Sequence, residues 1–255
     1  MLRTPQPPGP GLRPPLSHVQ RLSIEVAYAS LMTEDEIVAV LDEAENSLNA
    51  GGSLEGTGFW KAVGAVKRNS EQVERLGPRI AEIDRRAFEP WPMITLPIRL
   101  GTTIALAVTA VGLGGIAASY YLAEPWNWMI FGVGTAVLLG STHGLGHLVV
   151  GAAMGIRFTH WFVASITTPQ PGVKIDYVSY LRTPPRRRAW MHAAGALVTK
   201  SIPFILIPAA LAAALPTWII WVLATVGLFV VAADLVWSVK ASDWKKFRRE
   251  WRLGT

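Results

Sequence analysis

The 255-residue chain contains no cysteine, which excludes disulfides, iron–sulfur clusters and thiolate-bound zinc. Histidine and carboxylate remain as the plausible metal ligands. The opening stretch, MLRTPQPPGPGLRPPLSH, lacks the apolar core a signal peptide requires, and residues 1–18 read as a disordered Pro-rich tail. Residues 19–90 likewise hold no run near the roughly 20 apolar residues of a spanning helix. They read as a separate cytoplasmic helical domain. Within it Thr33 and Glu36 form a capping-box pattern, and Ile37, Leu41, Ala44 and Leu48 recur at helical spacing up to Gly51. Breaks are expected near Asn69–Ser70 and Gly77–Pro78.

What the chain has in quantity is apolar residues, 51% of its length, with a positive mean hydropathy. That composition fits a membrane protein. Four spans are expected at about 94–123, 126–156, 189–215 and 217–239, giving a mainly α polytopic bundle over 91–240. The connections near Glu124–Pro125 and Leu215–Thr217 carry no Lys or Arg, whereas 157–188 holds Arg157, Lys174, Arg182 and Arg186 to Arg188. The positive-inside bias then puts that connection and both termini in the cytoplasm. Within it, FTHWFVASI and PGVKIDYVSYL alternate about the Pro169–Gly172 turn and predict a short β-hairpin. Residues 241–255, with SDWKKFRREWRL, read as an amphipathic helix at the inner interface capped by Ser242 or Asp243. The net charge of +6 is concentrated beside apolar segments, so the partner it suits is the anionic bilayer and not nucleic acid.

The polar residues inside these spans carry the chemistry. His143 and His147 lie one helical turn apart in LLGSTHGLGHLVVGAAMGI, so both imidazoles project from one face and can reach one ion. Asp234, in LFVVAADLVWSV near the end of the fourth span, offers a carboxylate at a comparable depth; intramembrane polar groups of this kind are functional candidates. The alternative for Asp234 is an ion pair with Lys200 or with an interfacial Arg. Gly132, Ala136, Gly140 and Gly144, with Gly151 and Gly155 beyond, form a small-residue ridge suited to close helix packing.

STHGLGHLVVGAAMGI resembles the HExxH span of the site-2 protease family of intramembrane zinc metalloproteases. RRRAWMHAAGALVTK sits where that family has the Arg-rich entry into its AGPxxN helix, and Asp234 where it has its third ligand. The resemblance covers roughly residues 94–240. It implies Zn²⁺ held by His143, His147 and Asp234, and transmembrane segments of other proteins as partners. Gly144 stands where the general-base Glu would be, and the Pro and Asn of the AGP helix are replaced, with Ala196 and then Thr199 or Lys200 in their place. A general base contributes typically 10²–10⁴-fold, so the expectation is a weakly active or non-catalytic relative. His192, His160 and Asp176 are the candidate substitutes for the base. A Glu introduced at Gly144 is expected to restore a carboxylate beside the metal. Competing readings are a haem protein using two of His143, His147, His160 and His192, a non-haem-iron oxidase, for which these spans offer few ligands, and a membrane subunit without metal.

Overall fold

The computed structural model describes residues 32–166, 171–236 and 242–254, with the side chains of 234–236 outside that description. The chain divides into two compact units at Asn69/Ser70. In the first unit, α1 (Glu34–Asn49) starts at a full capping box: Glu36 N–H donates to Thr33 Oγ1, and the Glu36 carboxylate accepts from Thr33 N–H. Its buried Ile37, Leu41 and Ala44 define one face, and α2 (Phe59–Val66) contributes buried Phe59, Ala62, Val63 and Val66.

The second unit begins with α3 (Ser70–Phe88), and the break at 69–70 falls where expected. The break expected at Pro78 does not occur, and the helix runs through it. Its Val73, Leu76, Ile80 and Ile83 are buried at helical spacing, and that continuous apolar face outweighs the one backbone bond a proline removes. The reason α3 belongs to this unit is visible in its ties: Arg182 donates to Glu74 (2.6 and 3.0 Å), Lys174 Nζ to Asp84 Oδ2 (2.5 Å), and Phe88 meets Phe162 edge-on.

A three-stranded antiparallel sheet follows, in the order β1 (Ile94–Pro97), β2 (Phe158–Val163), β3 (Gly172–Ile175). Leu96 pairs with Trp161 and Trp161 with Val173. The hairpin of β2 and β3 was expected; β1 was read as the start of the first span. The second hairpin strand is shorter than the alternation over 171–181 implied, because Asp176 caps a short helix, α6 (Tyr177–Arg182), through Ser179 N–H.

Among the described residues, three helices are long and apolar enough to cross a membrane: α4 (Ile98–Ala118) extended by a 3₁₀ turn to Tyr121, α5 (Trp126–Ala153) and α7 (Pro185–Ala212). Helix α8 (Thr217–Val236) is apolar but shorter over its stretch Thr217–Ala233. Inside this bundle Ile116, Phe131, Leu138, Ile202, Leu206, Ile219 and Leu223 form one core. Its outer surface is equally apolar: Val111 is 70% exposed, Ile205 67% and Trp221 69%. Helices apolar on both faces fit a hydrocarbon solvent, as in an integral membrane protein. The last described helix is α9 (Asp243–Arg252), capped by Ser242 accepting from Lys245 N–H.

Candidate metal centre

His143 and His147 share one face of α5, as their spacing requires, with rings crossing nearly edge-on. Their Nε2 atoms are 3.3 Å apart. The carboxylate that meets them is Asp243, whose Oδ2 lies 3.2 Å from His147 Nε2 and 3.3 Å from His143 Nε2. Because Ser242 takes the capping role, Asp243 is free to turn toward the imidazoles. Asp234, the expected third ligand, has its side chain outside the described residues. The nearly equilateral triangle of donors has a clear meaning, because three ligands on one tetrahedral ion at about 2.0–2.1 Å lie about 3.3–3.4 Å apart.

The surroundings fix the tautomers assigned to both rings. His147 Nδ1 is 2.8 Å from the Met191 carbonyl, which can only accept, so Nδ1 carries a proton. Thr199 donates its hydroxyl proton to the Gly195 carbonyl (3.0 Å), so its oxygen accepts from His143 Nδ1–H at 3.1 Å. In the neutral rings both Nε2 atoms therefore present lone pairs to each other and to a carboxylate. Three acceptors at this separation repel unless a cation sits among them, and anchoring Nδ1 to free Nε2 is the usual outer arrangement of metal-binding histidine. Burial opposes ionisation of Asp243, whereas a proton on either imidazole Nε2, which would donate to the carboxylate, and the Lys246 charge favour it and lower the carboxyl.

Two glycines make the arrangement possible. A Cβ at Gly195 of α7 would lie 2.3 Å from His147 Nε2, so only glycine leaves the ligand atom its place. At Gly144 the expectation is corrected: a Cβ there would lie 2.4 Å from the Trp161 indole, and one at Gly101 of α4 would meet the same side chain at 2.4 Å. The space beside Gly144 is filled by Trp161, whose Nε1–H donates to Thr102 Oγ1 (3.0 Å). The expected small-residue ridge is also redistributed, since Gly132 and Gly140 have open space around them.

The triad lines a cavity of about 230 Å³ whose other walls include Phe162, Gly172, Met191, His192 and Lys246. Of the three proposed substitutes for the base, only His192 is there. Its Nε2 is bonded to the Tyr180 hydroxyl at 2.9 Å, and Lys246 donates to Asp243 Oδ1 at 3.2 Å. His160 and Asp176 line a different cavity, beside Asp84 and Lys174, and Asp176 is engaged by Arg157. Lys200 lines a third, apolar one with Phe204 and Trp244.

Sequence reasoning missed Asp243 as the carboxylate beside the two histidines, treating it as an alternative cap. The signal was an acidic residue at the head of an otherwise basic, aromatic helix. It also missed a buried cluster behind the site. Glu250 accepts from Arg188 Nε (2.7 Å) and from the Tyr180 hydroxyl (2.9 Å), and Arg188 and Glu250 are 1% and 0% exposed. In comparisons with known proteins, no family model, no curated protein and no solved structure matches the chain.

Proposed function

We propose that the chain is an integral membrane metalloprotein of site-2-protease-like design in which His143, His147 and Asp243 hold one divalent ion, with zinc as the best fit, and that it binds membrane segments without efficient proteolysis. The observation that carries this reading is the triangle of three acceptor atoms 3.2–3.3 Å apart with both Nδ1 positions anchored. Two nitrogens and one oxygen leave a coordination position open, as in catalytic zinc sites. Bound there, the ion would supply Lewis-acid polarisation of a carbonyl. The protein's own residues do the rest: α7 orients both imidazoles, and Phe158 and Phe162 wall the cavity on the hairpin side.

The base is what the site lacks. Gly144 has no carboxylate, and among the described residues lining the cavity the other proton carriers, His192 and Lys246, are bonded to Tyr180 and Asp243. Proficient hydrolysis needs a group positioned on the attacking water, so slow turnover or none is the consistent outcome. A haem reading suits the geometry poorly, since two imidazole nitrogens 3.3 Å apart on one helix face cannot lie on opposite sides of a macrocycle.

In the bilayer, α4, α5, α7 and α8 form four spans with both termini cytoplasmic. The exposed Lys245, Arg248, Arg249 and Arg252 of α9 face anionic headgroups. A second reading follows from the same contacts: a doubly protonated His147 would pair directly with Asp243, making the cluster structural and metal-free.

Metal analysis of the full chain purified without added zinc separates the two. We expect about one zinc per chain, lost in His143→Ala and in Asp243→Asn, with little cleavage of a membrane-segment substrate by any form. A metal-free wild type that takes up no zinc on titration establishes the ion-pair reading. Efficient zinc-dependent proteolysis by the wild type overturns the non-proteolytic one.

A further inference from the structure

The carboxylate of the triad comes from a short helix, and something must fix that helix with a ligand's precision. Glu250 lies seven residues after Asp243, on the same face of α9 two turns along. It is bound by Arg188 in the first turn of α7 and by Tyr180 of α6. Arg188 Nη1 also donates to the Leu181 carbonyl (3.1 Å). Since the Tyr180 hydroxyl gives its proton to Glu250, its oxygen accepts from His192 Nε2–H. Helix α7 also carries Met191 and Thr199, which anchor the two imidazoles. One helix is thus the frame for all three ligands.

Apolar packing alone would keep α9 in contact: Trp190 meets Phe247 and Trp251 edge-on. Such contacts are non-directional, however, and a functional constellation must be held to within about 0.5 Å. A buried ion pair is usually no more stabilising than apolar side chains of similar volume. Here Arg188 Nη2 even lacks a hydrogen-bond partner among the described residues, an added cost. What the pair supplies that apolar groups cannot is direction.

We propose that the buried Arg188–Glu250–Tyr180 lock is the positioning device that holds Asp243 in the metal triad, so that docking of α9 and metal binding are linked. The proposal rests on the reading of the triad as a metal site. By reciprocity, the ion secures α9 as strongly as α9 secures the ion.

The test uses the full chain in detergent, stripped with chelator. Zinc affinity is measured by titration, the ligand field by Co²⁺ absorption, and α9 docking by trypsin cleavage at Lys245, Arg248 and Arg249. The decisive variant is Arg188→Met with Glu250→Met, which removes both charges and keeps apolar volume. We expect it to stay monodisperse with an unchanged melting temperature, to bind zinc at least tenfold more weakly, to give an altered Co²⁺ band as the carboxylate is lost, and to be cleaved faster in α9. In the wild type, zinc should slow that cleavage, and in Asp243→Asn it should not. Should the double variant fail to fold, Tyr180→Phe, which removes one hydroxyl and no charge, should shift affinity about threefold in the same direction. A folded double variant, or in its absence Tyr180→Phe, with wild-type zinc affinity and cobalt spectrum overturns the lock. If the wild type binds no metal, the metalloprotein reading fails on its own, and trypsin then decides the lock: equal α9 cleavage in variant and wild type overturns it as well.

Discussion

Gly195 and Gly144 show how much a single missing methyl group can decide. At Gly195 the vacant Cβ position is the space occupied by His147 Nε2, 2.3 Å away. Gly195→Ala should therefore push the imidazole off the triad and weaken zinc binding at least tenfold without removing a ligand, which titration of the stripped protein checks. Gly144 argues the opposite way. Glutamate there cannot simply restore a base, because its Cβ would overlap the Trp161 indole. We expect Gly144→Glu alone to lower stability by about 1–3 kcal/mol, the usual cost of overpacking, and to yield no proteolysis. Trp161→Ala makes room, so Gly144→Glu should cost less stability in a Trp161→Ala background than in the wild type, and that difference in melting temperature identifies the indole as the obstacle. If Gly144→Glu alone melts like the wild type, Trp161 yields more easily than its contacts with Gly101 and Thr102 imply.

Among the elements, α3 is tied to the sheet by Lys174 and Asp84, both largely buried. Removing one charge of such a pair is costlier than removing both, so Lys174→Met should destabilise by about 3–5 kcal/mol and Lys174→Met with Asp84→Asn by clearly less. Burial pushes the Asp84 carboxyl above its ordinary value, and Lys174 only partly offsets this. A raised value means that ionisation costs the folded state free energy. The contribution of Asp84 is full below the ordinary carboxylate pKa and is lost as pH rises through the folded value. Asp84→Asn should flatten the melting temperature over that window, and a wild-type curve that rises there instead would contradict the assignment. The same scale explains why α3 passes through Pro78: apolar residues at helical spacing were legible, but the α6 and hairpin surface they pack on was not.

For the whole molecule, topology is the testable quantity. The absence of cysteine allows single cysteines to be introduced at exposed positions without background. Arg157→Cys and Arg249→Cys should label from the cytoplasmic side and Glu124→Cys from the other, in intact cells against inverted vesicles. Labelling of position 157 or 249 from outside would reverse the orientation derived from the Lys and Arg distribution. Asp243 belongs to α9, outside the long apolar helices, so under the proposed orientation the proposed metal site would lie toward the cytoplasmic face.

Local periodicity determined a great deal. The capping box of α1, the long apolar helices, the β2–β3 hairpin, the amphipathic end and the shared face of His143 and His147 all follow from residues within a turn or a strand of one another. Tertiary structure alone decided which carboxylate meets those histidines, why position 144 is glycine, and that β1 joins the hairpin. These depend on partners far along the chain: Asp243 is 96 residues from His147, and no spacing rule connects them. Physically, helix and strand preferences are set by neighbouring dihedrals and side chains. The meeting of α9, α7 and α5 is set by packing, by one buried ion pair and by Gly195, where a side chain would not fit.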